Sequence, residues 1–328
     1  MSPLFLLVAT ALADDPEPYA HPGEDVESDI VVALPRELLD EARRRMLLGD
    51  YEGARIVAEQ ALERDGDHQL DAHYLLGMGW EYDEQPKKAL EIYERLLEEM
   101  PEGESTDDVV FRKAEALGRD ARYAEALEVL DTLGDPMERK DNDRVKMELL
   151  KGLWEIERGG TIAGVTRIVT TLESATVVDS PWHQAMARAK LISIGVAQAD
   201  EIAFKGGKKK KARQLQERGQ LVGLAEEQLV QIIGLDKPVW ALHGFVDVAH
   251  GYRAFGQAML DESNVRVKKR ALPVYEEQRD SQVTQVWVKA TKRLDRGIQY
   301  ANQIGWTSDP LNELEADYID LMAAIESL

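Results

Sequence analysis

No cysteine occurs among the 328 residues. This excludes disulfides, thiol nucleophiles and thiolate metal sites, and leaves no sulfur to acylate. Aromatic residues are scarce at 6%, so a core must be packed largely through Ala, Leu, Ile and Val. No continuous run of Val, Ile and Thr reads as a sheet, and no apolar run is long enough to span a bilayer. Neither a Gly-x-Ser-x-Gly elbow nor a Gly-x-Gly-x-x-Gly loop after a strand is present. Nothing in these absences favours an enzyme.

What remains points to an all-α chain. Ala, Leu, Glu, Arg and Lys abound, and these lose least on entering a helix. The length exceeds one compact core of ordinary size but suits an extended array. The formal net charge is −21, and it is unevenly placed. Residues 1–180 carry 20 Lys and Arg against 42 Asp and Glu, whereas residues 181–328 carry 20 against 19. An acidic front half repels nucleic acid and anionic lipid and favours basic partners; the alternative is that it serves solubility alone.

Leu4 to Leu12 is apolar, and Ala11-Leu12-Ala13 has the small-x-small form followed by Asp14 and Asp15. This predicts a signal peptide over residues 1–13, cleaved after Ala13, and a periplasmic or secreted protein, although no Lys or Arg precedes the run. Residues 14–29 hold seven acids with Pro16, Pro18 and Pro22 and no basic residue. They predict a disordered acidic leader over residues 14–33.

From residue 34 a pattern repeats. Gly49-Asp50-Tyr51 with Ala54 and Ala61 is echoed by Leu76-Gly77, Trp80, Ala89, Tyr93 and Pro101, then by Ala114, Leu117, Tyr123 and Ala126. The spacing predicts hairpins pairing Arg36–Leu48 with Tyr51–Arg64, Asp71–Tyr82 with Pro86–Met100, and Asp108–Leu117 with Tyr123–Leu133. A weaker fourth pairs Arg144–Glu157 with Thr161–Leu172, its register open between Lys151 and Gly152 as the small position. These residues resemble the tetratricopeptide repeat family over about residues 35–175. The resemblance implies an α-solenoid over residues 34–175 whose concave face presents a groove to another protein.

After Pro181 the pattern fades into longer helices over Trp182–Phe204, Lys208–Ile233, Val239–Leu260, a long one from Pro273 to Ile304 stopped by Gly305, and a last one to Leu328 capped by Ser308 or Asp309. Residues 181–328 thus read as further hairpins or a capping bundle.

In a solenoid of that kind, helical spacing places Asp71, Tyr74, Met78, Glu81 and Tyr82 on the inner face from the second unit. Asp108, Phe111, Glu115 and Arg119 come from the third, and Glu148 and Glu155 from the fourth. Aromatics and Met anchor interfaces while carboxylates set their sign. The expected occupant is a basic or amphipathic segment of a partner protein. The alternative is that Tyr74, Met78 and Phe111 simply pack between hairpins. The family's clamp for C-terminal carboxylates needs Lys, Arg or Asn on this face, where acids dominate here. The leading expectation is a non-catalytic adaptor of an exported envelope complex, with no cofactor, no nucleic acid and no transmembrane span.

Two other constellations stand out. His243, Asp247 and His250 share one face of a helix, as ligands of a zinc-type metal would, so a metal-binding or hydrolytic accessory protein is the competing reading. A polar face with Asp247 as hydrogen-bond partner explains the same spacing. Lys205, Lys208 to Lys211 and Arg213 form a basic run that lacks the Ser or Thr of a phosphate loop. It meets acidic surfaces or is merely solvated.

Overall fold

Four successive hairpins each reverse through one residue in the left-handed region: Gly49 (φ 76°), Glu84 (φ 56°), Ala121 (φ 58°) and Gly159 (φ 91°). These positions fall 35, 37 and 38 residues apart, so the repeat seen in the side chains is also written in the backbone. In this computed structural model the described residues are 34–64, 68–101, 106–203, 206–261, 269–306 and 309–328. The expected signal peptide and acidic leader lie outside them, as do Lys205 and Ser308.

The hairpins are α1 (Pro35–Leu47) with α2 (Tyr51–Leu62), α3 (Gln69–Tyr82) with α4 (Pro86–Glu99), α5 (Asp107–Arg119) with α6 (Tyr123–Asp131), and α7 (Asp141–Glu157) with α8 (Thr161–Ser174). Longer helices follow: α9 (Pro181–Glu201), α10 (Lys208–Gly234), α11 (Pro238–Asp261), α12 (Leu272–Ile304) and α13 (Asp309–Glu326). The chain is therefore all-α and built of repeated hairpins, with no strand among the described residues. No described helix is long and apolar enough to cross a membrane.

Small residues let the paired helices approach. Ala42, Gly77, Ala114 and Gly152 occupy one position of the first helices, and Ala54, Ala89, Ala126 and Gly164 one position of the second, all buried. The fourth hairpin's register is thereby settled on Gly152: a Cβ there would lie 2.7 Å from Ile168 Cγ1, as one on Gly77 would lie 2.6 Å from Tyr93 Cε1. Lys151 instead is half-buried and reaches back to Asp131 of α6 at 2.8 Å. Prolines open α4, α9 and α12 at positions where no intrahelical N–H is needed.

Residues Pro35–Leu328 form one unit, and α9 is the reason. It packs on α7 and α8 as well as on α10 and α11. Ala187 belongs to the core of the hairpins, whereas Ala185, Ala189 and Ile192 belong to the core of the long helices. The pattern change after Ser180–Pro181 marks a shared helix that supplies residues to both cores. Ser180 makes the entry, at φ 50°, with its N–H donating to Asn142 Oδ1 at 2.8 Å. Gly305, at φ 68°, ends α12 as its position predicts, and Trp306 N–H donates back to Ala301 O at 2.9 Å.

Candidate partner-binding site

Of the residues on α3 and α5 that the repeat pattern singled out, the structure joins several into one buried network. Glu81 has no exposure. It accepts from Tyr93 Oη at 3.0 Å and from Arg119 Nε at 3.1 Å. Arg112 donates to Glu115 Oε2 at 2.8 Å, to Tyr82 Oη at 3.0 Å and to Tyr74 Oη at 3.4 Å. Lys146 Nζ sits 3.8 Å from the centre of the Phe111 ring and 4.0 Å from Glu115. His183 of α9 closes the network, its Nε2 2.6 Å from Glu115 Oε1 and its Nδ1 2.7 Å from Ser180 Oγ.

This changes the electrostatic reading of the face. Burial pushes the Glu81 carboxyl above its ordinary range, with Arg112 and Arg119 opposing the rise. Burial acts the same way on Glu115, but Arg112, His183 and Lys146 outweigh it and hold that carboxyl far below the ordinary range. Both carboxylates are compensated inside the protein. Glu148 and Glu155 are likewise held, by Arg167 at 2.6 and 2.9 Å. Phe111 is buried in the hairpin core. Asp71 and Asp108 are exposed, and Asp71 stands 4.0 Å from Arg43. Sequence spacing could not show Arg112, Lys146 and His183 meeting these carboxylates.

Tyr82, Met78 and Arg119 do reach open space. A run of rings begins on the second helix and crosses into the long-helix half. Tyr51 stacks on Tyr82 at 5.5 Å, Tyr82 meets the edge of Trp182 at 5.4 Å, and Trp182 meets Trp240 at 5.6 Å. His243 follows, 6.1 Å from Trp240. These rings, with Trp306, line a cavity of about 470 Å³ together with Asp50, Glu52, Asp83, Glu84 and Arg119. Cavities of about 400 Å³, reaching Met78 and Arg43, and about 390 Å³, reaching Glu115 and Trp154, adjoin it through shared residues. Trp182, Trp240 and Trp306 went unnoticed in the sequence because each lies at a helix end, outside any repeat. Three of the six tryptophans falling at the ends of long helices was the available signal.

The proposed imidazole face separates. His243 stands in the cavity, whereas His250 turns to α13, its Nε2 2.6 Å from Asp317 Oδ2. The ligand-type atoms that converge, within 4.8 Å of one another, are those of His250, Glu313 and Asp317. Asp247 is not among them, and Arg253 lies 3.7 Å from Asp317. Of the basic run, Lys208–Lys211 open α10, where the positive helix end disfavours them.

No family model matches the chain, and no curated protein matches it. A solved structure from the computational design of self-assembling cyclic protein homo-oligomers aligns over 90% of this chain and 99% of its own, at 12% identity and a TM-score of 0.30. At that score the likeness bears on neither family nor assembly.

Proposed function

We propose that this protein is a non-catalytic scaffold of an exported envelope complex. Its tetratricopeptide-like hairpins and long helices together hold a basic or amphipathic segment of a partner protein. The observation that carries this reading is the ring-lined cavity of about 470 Å³, to which both halves of the chain contribute and whose lining sets four acids against Arg119. Aromatic rings provide large rigid contact area at low entropic cost, and rim carboxylates select the sign of what enters. Export rests on the Leu4–Ala13 segment, and sequencing the mature N-terminus tests that part: Asp14 first supports it, an intact Met1 opposes it.

The scaffold is tested by placing a photo-crosslinking amino acid at His243, inside the cavity, and at Ile162, which is 86% exposed on α8. A partner joined from position 243 and absent from position 162 is the expected result. Cross-links formed equally from both positions, or from neither, would remove the proposal.

A further inference from the structure

The outward stripe of α8 breaks a pattern kept by the second helices of the first three hairpins. Positions 162, 166, 169 and 173 follow one another at four, three and four residues, so they share one face. The buried Gly164, Ile168 and Thr171 lie on the opposite side. Aligned on the small residues Ala54, Ala89, Ala126 and Gly164, the matching positions are Glu52, Ile56, Glu59 and Glu63 beside α2. They are Lys87, Glu91, Glu94 and Glu98 on α4, and Ala124, Glu128 and Asp131 on α6. Each of those stripes holds two or more carboxylates. On α8 the stripe reads Ile162, Thr166, Val169 and Glu173, and Val177 and Val178 follow it. Ile162 is 86% exposed, and both valines are more than half exposed. Thr166 returns its hydroxyl to Ile162 O at 2.8 Å, which leaves its methyl group for the face.

What covers this stripe must suit the charge of the chain, which is −21. Two copies repel wherever acids face acids. Apolar residues exposed on α10 and α13 stand among carboxylates: Glu227 lies between Leu224 and Val230, and Asp320 beside Ile319. The α8 stripe lets two copies touch without that repulsion. Its two ends also carry opposite charges, Arg158 in the turn before α8 and Glu173 in its last turn, both exposed. Parallel pairing would bring like ends together. Antiparallel pairing about a two-fold axis between Val165 and Thr166 sets Ile162 opposite Val169. The same axis sets Arg158 opposite Glu173, because both pairs share that midpoint.

We propose that α8 is a self-association face, on which a second copy of this chain packs its own α8 antiparallel about a two-fold axis. Ile162, Thr166 and Val169 form the apolar seam, at the spacing by which paired helices interlock. Arg158 and Glu173 close it at both ends. Such a contact is isologous, so each complementary pair occurs twice. The seam is short, and small interfaces give weak association, here in the micromolar range. The inference goes beyond the scaffold reading and does not depend on it. None of these residues lines the cavities described above.

The experiment follows the intact chain by sedimentation equilibrium from about 1 to about 100 µM, where small interfaces dissociate. A monomer–dimer equilibrium is expected. Ile162→Glu, which would bury two uncompensated carboxylates in the seam, should weaken it by about tenfold or more. Val230→Glu adds the same charge at a 60% exposed position on α10 and should leave it within about twofold. Arg158→Glu and Glu173→Arg should each weaken it by about tenfold, since one substitution turns two attractions into repulsions. The double variant Arg158→Glu/Glu173→Arg should return it to within about threefold of the unaltered chain. Because the chain has no cysteine, Thr166→Cys gives a second reading. It should oxidise to a disulfide-linked dimer about tenfold faster than Glu91→Cys, its counterpart on α4. Melting temperatures confirm that each variant folds. A monomer throughout the range overturns the inference. So does equal weakening by Ile162→Glu and Val230→Glu, or a double variant no tighter than its two singles. At position 162 the photo-cross-link joins a second copy and not the partner, so failure here leaves the position-243 result standing.

Discussion

His183 Nε2 lies 2.6 Å from Glu115 Oε1, a contact that spans 68 residues of chain and joins α9 to α5. Glu115 is 7% exposed and holds Arg112 as well. Removing its charge strands buried cations, and breaking such a pair one-sidedly costs about 3 kcal/mol. Glu115→Gln should therefore destabilise the chain by roughly that amount in urea unfolding. Glu81→Gln should cost less, about 1 kcal/mol, because burial already disfavours the Glu81 charge, and the amide oxygen can still accept from Arg119 while its NH2 donates to a turned Tyr93 Oη. The reverse order would mean that Glu81 is the anion on which the network depends.

The same pair sets a pH dependence. Because the folded Glu115 carboxyl lies below its ordinary value of 4.5, the unfolded chain takes up protons there first. The stabilisation is thus complete above about pH 4.5 and is lost as the pH falls towards the folded value. Glu81 contributes with the opposite sign, since its folded carboxyl lies above the same value. The stability gap between the unaltered protein and Glu115→Gln should accordingly shrink on going from pH 6 to pH 3. A gap that stays constant over that range would show that Glu115 does not titrate in a shifted environment.

Glycines at the helix crossings give a ranked expectation. A Cβ on Gly77 would meet the Tyr93 ring at 2.6 Å, and rings can slide by a few tenths of an ångström. One on Gly164 would meet Gly152 O at 2.4 Å and Ile156 N at 2.9 Å, both backbone. Backbone in a packed hairpin cannot yield without separating α7 from α8. Gly77→Ala should cost about 1–2 kcal/mol and Gly164→Ala about 3 kcal/mol or more, read from denaturant midpoints at unchanged m-value. Equal costs would show that the fourth hairpin tolerates wider spacing than its geometry implies.

These glycines also show what the sequence makes legible. Helical hairpins, their turns and the small residues between paired helices are local or periodic, so Gly77, Ala89 and Ala114 reveal them without coordinates, whereas the fourth hairpin needed the structure to choose Gly152 over Lys151. The grouping of Tyr74 and Tyr82 on α3 with Glu115 on α5 follows from the same spacing. Its charge balance does not, because compensation depends on side chains meeting across helices: Lys146 holds the repeat position of Asp71 and Asp108 yet reaches Glu115, and His183 lies on α9, beyond the repeat. The cavity was beyond reach altogether, since Tyr51 and Trp240 are brought near one another only by the path of the chain through α9. Likewise His243 and His250 share a helix face by spacing, yet α13 captures one through Asp317 and leaves the other in the cavity.

Trp182 tests that path directly. Half-buried, it is the ring that touches Tyr82 on one side and Trp240 on the other. Truncation to Ala deletes both aromatic contacts and opens a gap beside Ser180 and His183, where α9 enters the hairpin core. Full burial would make this worth 3–5 kcal/mol; with the ring half-buried, about 2 kcal/mol is expected. Trp182→Phe retains one edge and should recover about half of the loss. Because α9 belongs to both cores, the loss should appear as one shifted transition in urea, followed by circular dichroism. A biphasic curve, with the long helices melting before the hairpins, would show that Trp182 holds only its own half and that the two walls of the cavity are not joined through it.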